Sequence, residues 1–348
     1  MYYMLIMLTT SLSTIQGTRS CLRSSSLYSD PVIITYKKPG DKSYYVLRDS
    51  ILEWYPTFSL YDLSHLKDHL LPQTAITFRT DASKSVEGII LKEMIENFLK
   101  EIKAKKKVYK DFIVLKGKGF NTKKQAGLLI VKCKHYPFIV KLFMENPRSF
   151  IRPYNKGFEP ACQFVVGGGI TRHALGFTRI KNRKQLREKI DSTSELYDYI
   201  DVPRKWFWMP EQREYFYIRG YNFEESPITV KVPAVYAIIA DAIEIERTLS
   251  INKNDDKSLA LKISEIFNYT IDPHINNFVI EKETNKIVII DTEHFPSLVG
   301  FKEKPAISSY FSYYVDLGMK YLKDRYGRIR RKRTTLRKEK FLPFHTLP

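Results

Sequence analysis

Cysteine is scarce in this chain. Three occur in 348 residues, Cys21, Cys133 and Cys162, and no two have the Cys-x-x-Cys spacing. That argues against a disulfide framework and a zinc knuckle. The seven histidines are scattered, and no His-x-x-x-His pair is present to offer two imidazoles to a metal. Negative charge is also short, because 57 Lys and Arg face 38 Asp and Glu, a formal net charge of +19. Anionic partners suit such a chain: phosphorylated ligands, nucleic acid or an acidic membrane surface. No RNA- or DNA-binding signature, zinc pattern or internal repeat narrows that choice. Beyond the first residues, no stretch is long and apolar enough to cross a membrane.

What is present suggests one large or two modest domains with a sizeable core, since 43% of residues are hydrophobic and 14% aromatic. Residues 1–20 begin MYYMLIMLTTSLSTIQG. Their length fits an export signal, although the usual basic start is missing; a buried strand and a disordered start are the alternatives. A cleaved signal would imply export, and its absence a cytoplasmic location. Residues 18–30 are Ser- and Arg-rich, like a linker.

Strand patterns occupy VIITY and YYVLRD within residues 31–60, and DFIVLKG, AGLLIVKC and PFIVKLF within 111–143. KWFWMP and EYFYIRGYNF read as two further strands. Helical spacing spans 85–107, with Ile89, Ile90, Met94, Phe98 and Ile102 on one face. Residues 183–199, 233–249 and 260–269 also read as helices, as does the tail from about Tyr310. NFVIE and KIVII then form a hairpin about the turn ETNK. The fold class expected is α+β.

Four elements invite chemistry. LKGKGFNT places Gly117 and Gly119 between two strand patterns, where backbone amides can approach an anion; a simple hairpin turn is the alternative. Lys141 interrupts the apolar strand FIVKLF. A buried ammonium needs an anionic partner, with Glu145 and Glu159 as candidates, unless the strand is an edge with its lysine in solvent. In TIDPHINNFVIEKETNKIVIIDTEHFP, Asn277 follows Asp272 by five residues, and Asp291 lies nineteen beyond Asp272. A hairpin of that length brings its ends side by side, so Asn277 and Asp291 could share magnesium while Asp272 faces a substrate hydroxyl. A capped turn and a plain strand end are the alternatives. Finally, Gly167, Gly168 and Gly169 precede Arg172 and His173. This segment reads either as a second anion-facing loop, with Arg172 as ligand, or as a flexible turn before a strand GFTRI.

Glycine loop, strand lysine, helices, Asp-x-His-x-x-Asn and strand-Asp follow one another in the order seen in the protein-kinase-like superfamily, and Gly117 precedes Lys141 by 24 residues. DPHINN resembles the catalytic loop of the atypical branch, including the phosphoinositide kinases, and IIDTEHF resembles its metal-binding strand end. The resemblance spans about 111–300. It implies a two-lobed fold with an antiparallel N-lobe sheet at 111–222 and a reduced helical C-lobe at 223–325, flanked by an extension at 21–110 and a basic tail at 326–348. It implies ATP and Mg2+ as cofactors. Lys141 would hold the α- and β-phosphates, with Gly117 and Gly119 toward the nucleotide; Arg172, on the reading of its own loop, would join them as an anion ligand. Asp272 would orient the acceptor hydroxyl, His274 would stand near the γ-phosphate, and Asn277 and Asp291 would bind magnesium. Backbone near 218–223 would meet the adenine.

The chain departs from the family pattern in several places. Thr122 replaces the third glycine, and Thr292 and Glu293 follow Asp291 where Phe-Gly is usual. His-Arg-Asp and Ala-Pro-Glu are missing, and 57 residues remain after Asp291. These departures point to a small molecule or lipid as acceptor, to an unusual protein kinase, or to a pseudokinase or scaffold. A scaffold would meet an anionic membrane or nucleic acid through the run RIRRKRTTLRKEK at 328–340.

Overall fold

The computed structural model describes residues 32–37, 43–49, 63–117, 119–146, 173, 176, 178–211, 213–221, 227–293, 307, 315 and 338–343. All belong to the compact unit Pro31–Pro348. Strands β1 (Val32–Lys37) and β2 (Ser43–Asp49) come first. A short hairpin, β3 (Ala75–Thr77) and β4 (Ser85–Glu87), leads into helix α1 (Gly88–Lys103). Next are β5 (Phe112–Lys116), β6 (Phe120–Asn121), β7 (Ala126–Cys133) and β8 (Phe138–Met144). Helices α2 (Thr178–Asp191) and α3 (Ser194–Tyr197) precede β9 (Ile200–Asp201), β10 (Lys205–Trp208), β11 (Tyr215–Tyr221), β12 (Pro227–Pro233), β13 (Val235–Asp241) and β14 (Ile245–Thr248). Helix α4 (Asn254–Ile266), the hairpin β15 (Phe278–Glu281) and β16 (Ile287–Ile289), β17 (Lys338–Pro343) and two 3-10 turns, Leu63–His69 and Ile275–Asn277, complete the described elements.

The class is mixed α+β, built mainly on antiparallel sheets. One sheet runs β10-β13-β8-β7-β5, with β6 also paired to β7. A second runs β14-β15-β16-β9, and a third β12-β11-β1-β2-β17. Side chains alternate across a strand, and β8 shows it. Phe138, Val140, Leu142 and Met144 enter a core shared with Ile95, Phe98 and Ile102 of α1. Ile139, Lys141 and Phe143 face the other way. A separate core joins Leu186 and Ile190 of α2 to Ile263 of α4 and to Phe278 and Ile289 of the hairpin.

Several expectations need correction. The helix expected over 233–249 is two strands, β13 and β14. Ala, Ile and Glu favour helix locally, but β13 is central in its sheet and almost wholly buried, so cross-strand pairing overrides propensity. The strand expected at Gly176–Ile180 is a turn at Gly176 and the start of α2 at Thr178. α1 buries Leu91, Ile95 and Leu99 beside Phe98 and Ile102, leaving Ile89 and Ile90 43% and 40% exposed. Residues 218–221 are not a joint between lobes. They continue β11, paired throughout with β12 and, at Ile218 and Arg219, also with β1. The end of the basic run is not a loose tail, because Lys338–Pro343 pairs with β2. Residues 1–31, Glu159, the Gly167–Gly169 loop, Arg172 and 321–337 lie outside the described residues. So does most of the helix expected from Tyr310, although Val315 is helical.

Candidate functional site

Register places three lysines on one sheet face. Lys141 of β8 stands opposite Ile130 of β7 and Ile238 of β13. Lys116 of β5 also stands opposite Ile130, after a shift in register between Val114 and Lys116. Lys205 of β10 stands opposite Ala240, two residues along β13 from Ile238. Directly opposed residues share a face, so Lys116, Lys141 and Lys205 project together. Gly117 and Gly119 form the turn beside Lys116, closed by the Phe120 amide donating to Gly117 O at 2.9 Å. Gly127 backs this turn with φ +114°, where an added Cβ would lie 2.0 Å from Gly119 O. Only glycine fits there without strain.

The hairpin supplies the acids. Phe278 pairs with Ile289, and the Ile290 amide donates to Asn277 O at 3.0 Å, closing the open end. The hairpin strands are mostly apolar and buried (Phe278, Val279 and Ile287 to Ile289), and this holds the polar ends in place. Before β15, Asp272 Oδ1 accepts from the His274 amide at 3.1 Å. His274 Nδ1 accepts from the Asn276 amide at 3.2 Å and so caps the short turn Ile275–Asn277.

The sheet face and the hairpin end meet. Lys141 Nζ lies 3.1 Å from Asp291 Oδ2, across 150 residues of sequence. This answers which carboxylate neutralises the strand lysine. Arg179, from the first turn of α2, donates through Nε to Asp291 Oδ1 at 2.8 Å and pairs with Glu293 Oε2 at 2.8 Å. Lys205 Nζ donates to Thr292 Oγ1 at 2.7 Å, and that hydroxyl donates to Arg179 O at 2.6 Å. Asn182 Nδ2 donates to Thr270 O and Thr292 O, each at 3.1 Å. It therefore ties the loop before Asp272 to the loop after Asp291.

The charges distort one another's titration. Burial pushes the Asp272 carboxyl up, the nearby charges of Glu293 and Asp291 add to this, and it reaches about 7. Burial opposes ionisation of Asp291, yet Arg179, Lys141 and Lys205 hold it far below the usual carboxylate range. Burial lowers Lys141, against the pull of Asp291. Lys205 falls well below its ordinary value through burial and then through Lys141. Burial and then Lys116 depress His274.

Magnesium needs hard oxygen ligands in near-octahedral array. Both oxygens of Asp291 already accept protein donors. Oδ1 takes Arg179 Nε and the Glu293 amide, the latter at 3.2 Å. Oδ2 takes Lys141 and Arg179 Nη2, the latter at 3.4 Å. Asn277 Nδ2 reaches Asp272 O at 3.5 Å. Among the described residues, no group of three or more His, Cys, Asp or Glu is placed to hold a metal ion. The residues as arranged do not fit a divalent cation.

Of the residues singled out from the sequence, the structure joins Lys141 directly to Asp291. It links Asp272, His274 and Asn277 in one loop at the open end of the same hairpin, and places Gly117 and Gly119 in a turn beside Lys116. Four contributors escaped the sequence reading: Arg179, Asn182, Lys205 and Glu293. Lys205 carried a usable signal, since it abuts the apolar run WFW just as Lys141 interrupts FIVKLF. Comparison with protein-family models, curated proteins and solved structures gave no match.

Proposed function

We propose that this chain is a kinase-like protein that binds the polyphosphate of a nucleotide between the Lys141 sheet face and the Asp272–Asp291 hairpin end. It would pass the terminal phosphoryl group to a hydroxyl acceptor. The observation that carries the reading is the 3.1 Å pair between Lys141 and Asp291, with Asp272 in the loop that opens the same hairpin, whose end is closed by the Ile290 amide donating to Asn277 O at 3.0 Å. The strand order adds support: a glycine turn joins the first strands of the sheet, and the lysine lies on the next long strand. A helix follows, and the hairpin opens on Asp272 and ends on Asp291, in the order that kinases use. The joint between the two sheets is then Ala242–Glu244, and the adenine would lie there.

In the transfer step, Asp272 orients the acceptor hydroxyl and takes its proton as the oxygen bonds to the γ-phosphorus. The bond to the bridging oxygen breaks, and the nucleoside diphosphate leaves. Lys141 and Lys205 offset phosphate charge. Calorimetric titration with ATP, with and without magnesium, tests binding; no heat and an unchanged melting temperature would sink the reading. Asp272→Asn tests transfer. Turnover should fall about 100-fold or more with binding retained, and undiminished turnover would remove Asp272 from the mechanism.

A second reading, nucleotide binding without transfer, is favoured by Arg179. Its guanidinium occupies the carboxylate that a catalytic metal would need. Under that reading wild type binds ATP and turns none over.

A further inference from the structure

Resting on the nucleotide-binding reading for the identity of the ligand, we infer that this site takes its polyphosphate free of divalent metal, with Arg179 standing where a metal ion would bridge the acids. Three observations carry this. First, the Arg179 guanidinium spans Asp291 and Glu293, at 2.8 Å from each, joining two carboxylates from one residue as a bridging cation would. Second, Arg179 is not a passing surface contact. Its side chain is 4% exposed, it lies in the first turn of α2, and Asn182 one turn later locks that helix to both acid-bearing loops. Third, the sheet face opposite presents Lys141 and Lys205, with Lys116 exposed at the rim. Around Asp291 and Glu293 there are therefore three protein cations and a fourth nearby. A fully ionised polyphosphate completes that set, whereas a magnesium complex brings further positive charge and must first evict Arg179 from both Asp291 oxygens.

The test is calorimetric affinity of the purified full chain for ATP and for inorganic tripolyphosphate, each in EDTA and in excess magnesium. Wild type should bind both in EDTA at least as tightly as in magnesium. Arg179→Met should weaken binding in EDTA about tenfold or more, in line with the loss of one neighbouring positive charge. Binding by that variant should improve on adding magnesium, because Asp291 is released. Lys205→Met, a change at a residue that does not touch Asp291, should weaken both ligands in both buffers. Binding of wild type only in magnesium would overturn the inference and leave the nucleotide reading standing. So would an Arg179→Met variant with unaltered magnesium response, and Lys205→Met serves where Arg179→Met fails to fold. Tripolyphosphate binding in EDTA without ATP binding would support metal-free anion capture and overturn the nucleotide. Failure of both ligands in both buffers would overturn the two together.

Discussion

Arg79 is the clamp whose loss should be felt most widely. It lies in the turn between β3 and β4, a hairpin whose Ile76 and Val86 belong to the core of the six-stranded sheet. Its guanidinium reaches across to the other sheet, where it pairs with Glu281 at the end of β15 and with Asp201 of β9. The Glu281 side chain is 1% exposed, and its further side-chain donor is Thr284 Oγ1 at 2.6 Å. Asp201 is better supplied, because Arg187 donates at 2.9 Å and the Val202 amide at 2.7 Å. Arg79→Met keeps the apolar stem but leaves Glu281 charged and buried without a cation. Breaking a buried pair from one side costs roughly 3–5 kcal/mol, while replacing both partners by apolar groups is often nearly neutral. The expected cycle follows. Arg79→Met loses about 4 kcal/mol, Glu281→Leu loses less because Arg79 retains Asp201, and the double variant recovers most of the loss of Arg79→Met. With a urea slope near 3 kcal/mol/M, that loss moves the midpoint down by about 1 M. Tryptophan fluorescence reads it, since Trp206 and Trp208 lie on β10. A loss under about 1 kcal/mol for Arg79→Met, or no recovery in the double variant, would refute the clamp.

Gly127→Ala should cost about 2 kcal/mol or more, because the new Cβ falls 2.0 Å from Gly119 O at φ +114°; an unchanged melting temperature would show that the glycine turn adjusts freely. It should also weaken ATP binding by displacing the turn beside Lys116. Stability should fall on acidification through His173, whose Nε2–H donates to Pro233 O at 2.7 Å and whose pKa burial lowers to about 4. The unfolded state takes up a proton near pH 6.5 and the folded state only near 4, so about 3 kcal/mol is lost as pH drops through that window. His173→Gln should flatten the pH dependence of the urea midpoint between pH 6.5 and 4.5, and an identical slope would remove His173 as the cause.

Much of the strand architecture was legible because period-two alternation survives wherever one face is buried. The β5, β7 and β8 patterns and the β15–β16 hairpin fall where the residues suggested. β13 was not legible, because a central strand buried on both faces loses its alternation and VYAIIAD then reads as helix. α2 was partly hidden for the opposite reason. TRIKNRKQLREKID has little apolar pattern, since at its start it buries Thr178, Arg179 and Asn182 beside Ile180, and Arg179 and Asn182 serve a polar site instead of an apolar core. For the same reason Arg179 and Asn182 could not be found by looking for a core face. Glu293 appeared only as a departure from the Phe-Gly pattern, and its pairing with Arg179 is a tertiary fact.

The cations are set by backbone register as much as by the side chains themselves. A slip of one residue in β8 would send Lys141 into the core with Phe98 and Ile102, and would turn Leu142 toward Asp291. The apolar positions Phe138, Val140, Leu142 and Met144 oppose that slip, so core packing fixes where the ammonium points. The irregularity between Val114 and Lys116 brings Lys116 into line with Ile130 and hence with Lys141. Lys205 follows from its pairing with Ala240 on the same β13 that positions Ile238 beside Lys141. Three strands therefore deliver like charges to one face, against the self-repulsion and burial that depress Lys205 and Lys141. Asp291 offsets Lys141, but Lys205 donates to neutral oxygens, Thr292 Oγ1 at 2.7 Å and Ile290 O at 3.4 Å, and a buried ammonium so placed costs stability. Local rules are broken in this way where a ligand repays the cost. An anion is the ligand that would repay the cost of Lys205, and in this way the register of β10 supports the proposed phosphate-bearing ligand.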